Sequence, residues 1–187
     1  STHRHSSAAS DVYKRQLYMR PQEITIAEAL KSKGYLTAHF GKWHIGSVQK
    51  ESPTSPGGQG FDHWISGLNF YDRDPYLSHN GTYKQYKGQG SVISMNHAIE
   101  HLKKYSSQQP TFTVVWFPSP HDPHRETSSN PELYKGKKHA GYFQEITLLD
   151  EQIGKLRKTV RDLKIHQDTL LWSVSYTHLT LPTIVGV

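Results

Sequence analysis

The chain has 187 residues, a formal charge of +6 and no cysteine. That length is enough for one domain with a core, and the absent cysteine excludes disulfides and thiolate metal sites. Apart from Lys135, Lys137 and Lys138 the basic residues are dispersed, which suits an anionic ligand; no regular basic helix face or RNA-binding signature points to nucleic acid. No apolar run is long enough to span a bilayer.

The two ends differ in character from the rest. Residues 1–16 (STHRHSSAASDVYKRQ) lack apolar periodicity and carry part of the positive charge, and residues 173–187 (SVSYTHLTLPTIVGV) form a Thr-rich run without caps. Both resemble translated adapter sequence. The expectation is a non-native or disordered tail at 1–16, a native part at 17–172 and a non-native tail at 173–187.

In chain order, Pro21 to Lys33 reads as a helix, with Gly34 as a left-handed stop. Gly34 to Gly46 (GYLTAHFGKWHIG) is a short apolar strand that runs into a glycine-bracketed loop. Ser47 to Gly90 is rich in Gly, Pro, Ser, Asn and Tyr and reads as a long irregular excursion. Its aromatics (Phe61, Trp64, Phe70, Tyr71, Tyr76, Tyr83, Tyr86) suggest a packed loop lining a cleft. Asn80-Gly81-Thr82 fits the short N-glycosylation pattern.

Ser91 is a candidate N-cap for a helix to about Tyr105, with Val92, Met95, Ile99 and Leu102 on one face. Thr111 to Phe117 (TFTVVWF) reads as a buried central strand. From about His139 to Leu163 an amphipathic helix follows, with Ile146, Leu149, Ile153, Leu156 and Val160 at three- and four-residue steps. Thr169 to Trp172 reads as a further strand start. Alternating helices and strands imply an α/β fold with a mostly parallel sheet flanked by helices and right-handed crossovers.

Two constellations carry chemistry. Lys42 and His44 share a loop at a strand end, where open α/β sheets place their ligands, and Gly41 and Gly46 let the backbone bend there. The lysine offers a fixed cation for an oxyanion, and the imidazole moves protons near neutral pH. The alternative is a solvated cation, a satisfied loop histidine and a core Trp43. His121 and His124 lie between prolines after the second strand, candidates for a second proton donor completing that anion site. They also read as solvated loop residues, or, with Asp122, as metal ligands.

The stretch 34–46 resembles the second signature of the sulfatase family, Gly-Tyr-x-Thr-x-x-x-Gly-Lys-Trp-His-x-Gly, with every fixed position met. Ile24 to Glu28, Gly60-Phe61-Asp62, Pro120-His121-x-Pro123-His124, and Ile146 to Asp150 with Ile153-Gly154 resemble the same family. The resemblance implies an alkaline-phosphatase-like fold, incomplete here, and hydrolysis of a sulfate ester through a formylglycine nucleophile with calcium. It implies catalytic roles for Lys42, His44 and His121. Lys42 would bind the sulfate oxygens and the formylglycine. His44 would contact the formylglycine diol and act as base, and His121 would bind sulfate and help protonate the leaving alcohol. His124 would be substrate-facing.

Neither Cys-x-Pro-x-Arg nor Ser-x-Pro-x-Arg, the segment that supplies formylglycine, occurs in the chain, and no metal ligands are recognised. The chain is therefore expected to be an internal fragment, inactive alone, of a secreted or periplasmic enzyme acting on a sulfated small molecule or glycan. A phosphoester or phosphonate hydrolase of the same superfamily and a non-catalytic anion- or glycan-binding module are the alternatives.

Overall fold

A computed structural model describes residues 18–20, 22–69, 71, 73–124, 131–174 and 183–184. The expectations for 1–16, for Pro21 and Phe70, and for most of 173–187 lie outside the described residues.

The first helix, α1 (Ile26–Lys31), is shorter than the periodicity suggests. Thr25 starts it through a capping box: its hydroxyl accepts from the Glu28 backbone N–H, and the Glu28 carboxylate accepts from the Thr25 N–H. Two residues that had suggested a buried face, Ile24 and Ile26, point to solvent, and only Ala27 is buried. Strand β1 (Leu36–Lys42) follows, with its interior fully buried.

The excursion from Ser47 to Gly90 is not irregular throughout. It contributes β2 (His63–Gly67), β3 (Tyr76–His79) and β4 (Thr82–Gln85). Short length hid them, because four or five residues between turns leave little alternation to read. Asn80-Gly81 makes the β3–β4 turn, both at positive φ (49° and 93°), which is why Asn-Gly sits there. Helix α2 (Gly90–Tyr105) comes next. Ser91 lies inside it rather than capping it, since Gln89 holds the cap position without a side-chain bond. Strand β5 (Thr111–Trp116) and the long helix α3 (Ala140–Asp162) complete the main unit.

The five strands form one mixed sheet in the order β4-β3-β2-β1-β5. β1 pairs parallel with both β2 and β5, while β2–β3 and β3–β4 are antiparallel. β5 was expected at the centre, but it lies at the sheet edge among the described residues, with half-buried side chains and Trp116 41% exposed. Apolar character on both faces does not separate an edge strand from a central one. Likewise the strand expected from Thr169 begins only at Trp172: β6 (Trp172–Ser173) pairs with β7 (Thr183–Ile184) in a separate two-stranded sheet.

Strand alternation sorts the core into two layers. Ala38 and Phe40 face Ile65, Leu77, Ile93, Met95 and Ala98, with Val115 and Leu156 packed against them, so α2 and α3 cover that face. On the other face Trp43, Phe61, Val48 and Ala27 form a second cluster with Phe112 and Val114. Among the described residues no helix is long and apolar enough to cross a membrane.

Candidate functional site

At the C-terminal end of β1 the residues change from buried apolar to charged within three positions. Gly41 sits at φ +119° opposite Trp116 of β5, and a Cβ there would overlap the Trp116 carbonyl oxygen. Glycine is therefore required by the close approach of the two strands and by its backbone conformation. Lys42 ends the strand, half-buried, in register with Gly67. Among the described residues no carboxylate pairs with Lys42.

Trp43 anchors this loop. Its backbone N–H donates to the Gly67 carbonyl (2.6 Å) and its indole Nε1–H to the Thr54 carbonyl (2.9 Å), while the ring is buried. The ring also stacks on Trp116, with centroids 5.6 Å apart and planes 18° apart. Gly46 lies so close to Thr54 that a side chain there would overlap it. His44, between these fixed points, is exposed.

Beneath the indole pair lies His39, fully buried and edge-on to both, at 4.9 Å from each centroid. Its Nδ1 is 2.8 Å from the Ser66 hydroxyl, and burial pushes its pKa down to about 3. The ring is neutral at physiological pH and serves as packing with one polar anchor. Sequence reading missed His39 and Trp116 as supports of the loop. The signal available was alternation, which puts position 39 on the face that Trp43 joins.

His121 lies five residues beyond Trp116, on the segment leaving the same end of the β1–β5 pair as Lys42 and His44. Lys42, His44 and His121 are thus brought to one sheet end, across the strand where chain order reverses from β2 on one side to β5 on the other. The His121 Nδ1–H donates to the Asp122 carbonyl (2.7 Å). His124 is turned instead toward α3: its Nδ1 is 3.1 Å from Glu145 and its Nε2 is 3.0 Å from Asp122.

Farther out, the excursion's aromatics divide. Phe61 and Trp64 are core, and Tyr71 is largely enclosed, its hydroxyl 3.0 Å from Ser94. Tyr76 is 67% exposed at the start of β3. The register, Ser66 with Ser78 and Lys42 with Gly67, places Tyr76 at the same sheet end as Lys42, two strands away, about 10 Å at the usual strand spacing.

The chain belongs to the sulfatase family, whose model matches residues 1–175; it is a family of enzymes that hydrolyse sulfate esters. It is 28% identical to an ulvan-active sulfatase of Formosa agariphila and 26% identical to an arylsulfatase of Klebsiella aerogenes, each alignment covering 83% of this chain and 35% of the relative. A crystal structure of Ps i-CgsB in complex with k-i-k-neocarrahexaose superposes with a TM-score of 0.77 at 18% identity, over 84% of this chain and 40% of that one. This likeness shows an alkaline-phosphatase-like fold, here incomplete. The chain spans about a third of the length of the curated relatives it matches.

Sulfatases generally use calcium and formylglycine. Among the described residues no group of three or more His, Asp or Glu side chains could hold a metal ion, and the chain has neither a cysteine nor a Ser-x-Pro-x-Arg segment. The residues present therefore do not fit either group. A lysine and two histidines stand at the C-terminal end of the β1–β5 pair.

Proposed function

We propose that this chain supplies part of the sulfate-binding wall of a sulfate ester hydrolase. The observation that carries the reading is the shared placement of Lys42, His44 and His121 at the C-terminal end of the β1–β5 pair, braced by the Trp43–Trp116 stack. Lys42 neutralises sulfate oxygens as charge builds on them. His44 would act as a base, and His121 would give a proton to the leaving alcohol through Nε2. By itself the chain binds the anion without turning it over.

The substrate class is a sulfated carbohydrate. Two features support it: the names of the relatives, one ulvan-active and one complexed with a neocarrahexaose, and exposed Tyr76 at the site end of the sheet, where a flat ring can stack on a sugar face. The parent enzyme is secreted or periplasmic, where such polymers are met.

Titrating the full chain with inorganic sulfate, read by histidine ring signals in NMR, tests the proposal. His44 and His121 signals are expected to move with sulfate, and Lys42→Ala to weaken binding at least tenfold. Unmoved signals, or a response to phosphate but not sulfate, would overturn it in favour of a structural loop or a phosphoester site, respectively.

A further inference from the structure

The resemblance assigns His124 to the substrate, and its surroundings bear on a further task. Its ring lies between two carboxylates, Asp122 at Nε2 (3.0 Å) and Glu145 at Nδ1 (3.1 Å), with Tyr142 edge-on at 5.1 Å. Glu145 comes from the second turn of α3 and its side chain is only 4% exposed, while that of Asp122 is 90% exposed. A buried carboxylate requires hydrogen-bonding partners, and His124 is one that reaches it from a different segment. Gly141, one turn before Glu145, lies so close that a Cβ there would be 3.2 Å from the His124 carbonyl oxygen. Loop and helix therefore touch through backbone as well as side chain.

Asp122 joins this contact to the proposed proton donor. Its carboxylate holds His124 while its backbone carbonyl accepts from His121 Nδ1–H (2.7 Å). A chain of contacts runs from α3 through Glu145, His124 and Asp122 to the His121 ring.

We propose that Glu145 and Asp122 clasp His124 to dock the 118–124 loop on α3, making His124 and Glu145 positioning residues that fix the ring of His121. This rests on the sulfate-site reading only for its consequence, since the clasp itself is a statement about the orientation of His121. Loss of either carboxylate lets the loop lift from α3 and the His121 ring reorient, so sulfate binding weakens although no sulfate contact has been removed.

The test uses the full chain labelled with ¹⁵N and long-range ¹H–¹⁵N spectra of the histidine rings, which report tautomer and environment. Three variants are compared: Glu145→Leu, Glu145→Gln and Asp122→Ala. Asp122→Ala keeps the carbonyl that His121 bonds, and Glu145→Leu alters nothing adjacent to His121 in sequence, so a shift common to both variants is the one that passes through His124. Both Glu145→Leu and Asp122→Ala are expected to shift the His121 ring signals and to lower affinity for inorganic sulfate about tenfold, the scale on which an outer hydrogen-bond partner of a functional histidine acts. Glu145→Gln keeps an acceptor and retains most of the affinity.

Unshifted His121 signals in Asp122→Ala overturn the clasp, and this exposed position decides the matter even where Glu145→Leu does not fold. If wild-type chain fails to bind sulfate while the His121 signals shift in the variants, the clasp stands and the sulfate reading falls.

Discussion

The two ends of β1 use one continuous signature for opposite purposes. At the N-terminal end Thr37 is fully buried, and its hydroxyl donates to the Gly60 carbonyl (2.6 Å) and lies 2.9 Å from the Asp62 carboxylate. Asp62 also accepts from the Thr37 backbone N–H and pairs with Lys31 of α1. Although burial pushes the Asp62 carboxyl up, the hydrogen bonds from Lys31 and Thr37 outweigh it and hold its pKa below the usual carboxylate range. Thr25 adds a bond to the Gln59 carbonyl, and Gly60 (φ +94°) is pressed against Glu28. Every polar group named there has a protein partner. At the C-terminal end a half-buried ammonium and an exposed imidazole face outward on a backbone made rigid by Trp43. Among the described residues, a fixed backbone carrying these two side chains without a polar partner is what sets this end apart from the latch.

Changes at the two ends should therefore separate function from stability. The largest effect is expected at the site end. In the complete enzyme Lys42→Ala lowers turnover of an aryl sulfate by about 10²–10³, with a melting temperature within a degree or two of wild type. A comparable collapse of stability would erase the distinction between the ends.

At the latch end Thr37→Val leaves the Gly60 carbonyl and part of the Asp62 carboxylate without their buried donor. Denaturant titration of the chain should show a loss of about 2 kcal/mol, with sulfate affinity of the folded protein unchanged. An altered affinity at unchanged stability would show that the latch also shapes the site.

Acid supplies a third and smaller effect, on the face covered by α2. His101 packs against His63 (5.4 Å) and Tyr105 (5.0 Å). Burial, then His63 and Lys104, push the His101 pKa down to about 4, against a weaker pull upward from Asp62. His63 is lowered by burial and Lys104 with Asp62 opposing, and His79 by burial, Lys84, His97 and His63. In each case the unfolded chain binds the proton more readily than the folded one. Stability is thus full above about pH 6.5 and is lost as pH falls toward 4. Between pH 7 and pH 5 the chain should lose about 1.5–2 kcal/mol through His101, and His101→Gln should flatten that part of the profile. An unchanged slope would move the acid sensitivity to other groups.

The smallest effect belongs to Tyr76. Tyr76→Ala in the complete enzyme should raise KM for a sulfated oligosaccharide a few-fold, about 1 kcal/mol for a lost aromatic contact, and leave an aryl sulfate untouched. Equal loss on both substrates would remove the tyrosine from the sugar-binding surface.

Much of this architecture was legible beforehand, though unevenly. β1, α2, β5 and α3 emerged within a few residues of their expected bounds because each is long enough to show its period. β2, β3 and β4 were lost inside a turn-rich stretch because a strand of four or five residues gains its stability from neighbours, not from its own pattern. α1 was drawn too long because Ile24 and Ile26 imitate an amphipathic stripe. Lys42 and His44 were singled out by the dense motif at 34–46 and His121 by Pro120-His121-x-Pro123-His124, and the strand topology brings all three to one sheet end.

Of the two carboxylates on His124, the one from α3 was not visible. Glu145 lies 21 residues away on another element, with nothing in its local pattern to join the two. The sequence by itself determined the family, the long elements and the identity of the groups at the end of β1, because those rest on short-range spacing and residue chemistry. Tertiary structure alone decided that β5 lies at the sheet edge among the described residues, that Trp43 meets Trp116, and that His124 turns toward α3. Those outcomes depend on contacts between distant segments, which local pattern does not encode.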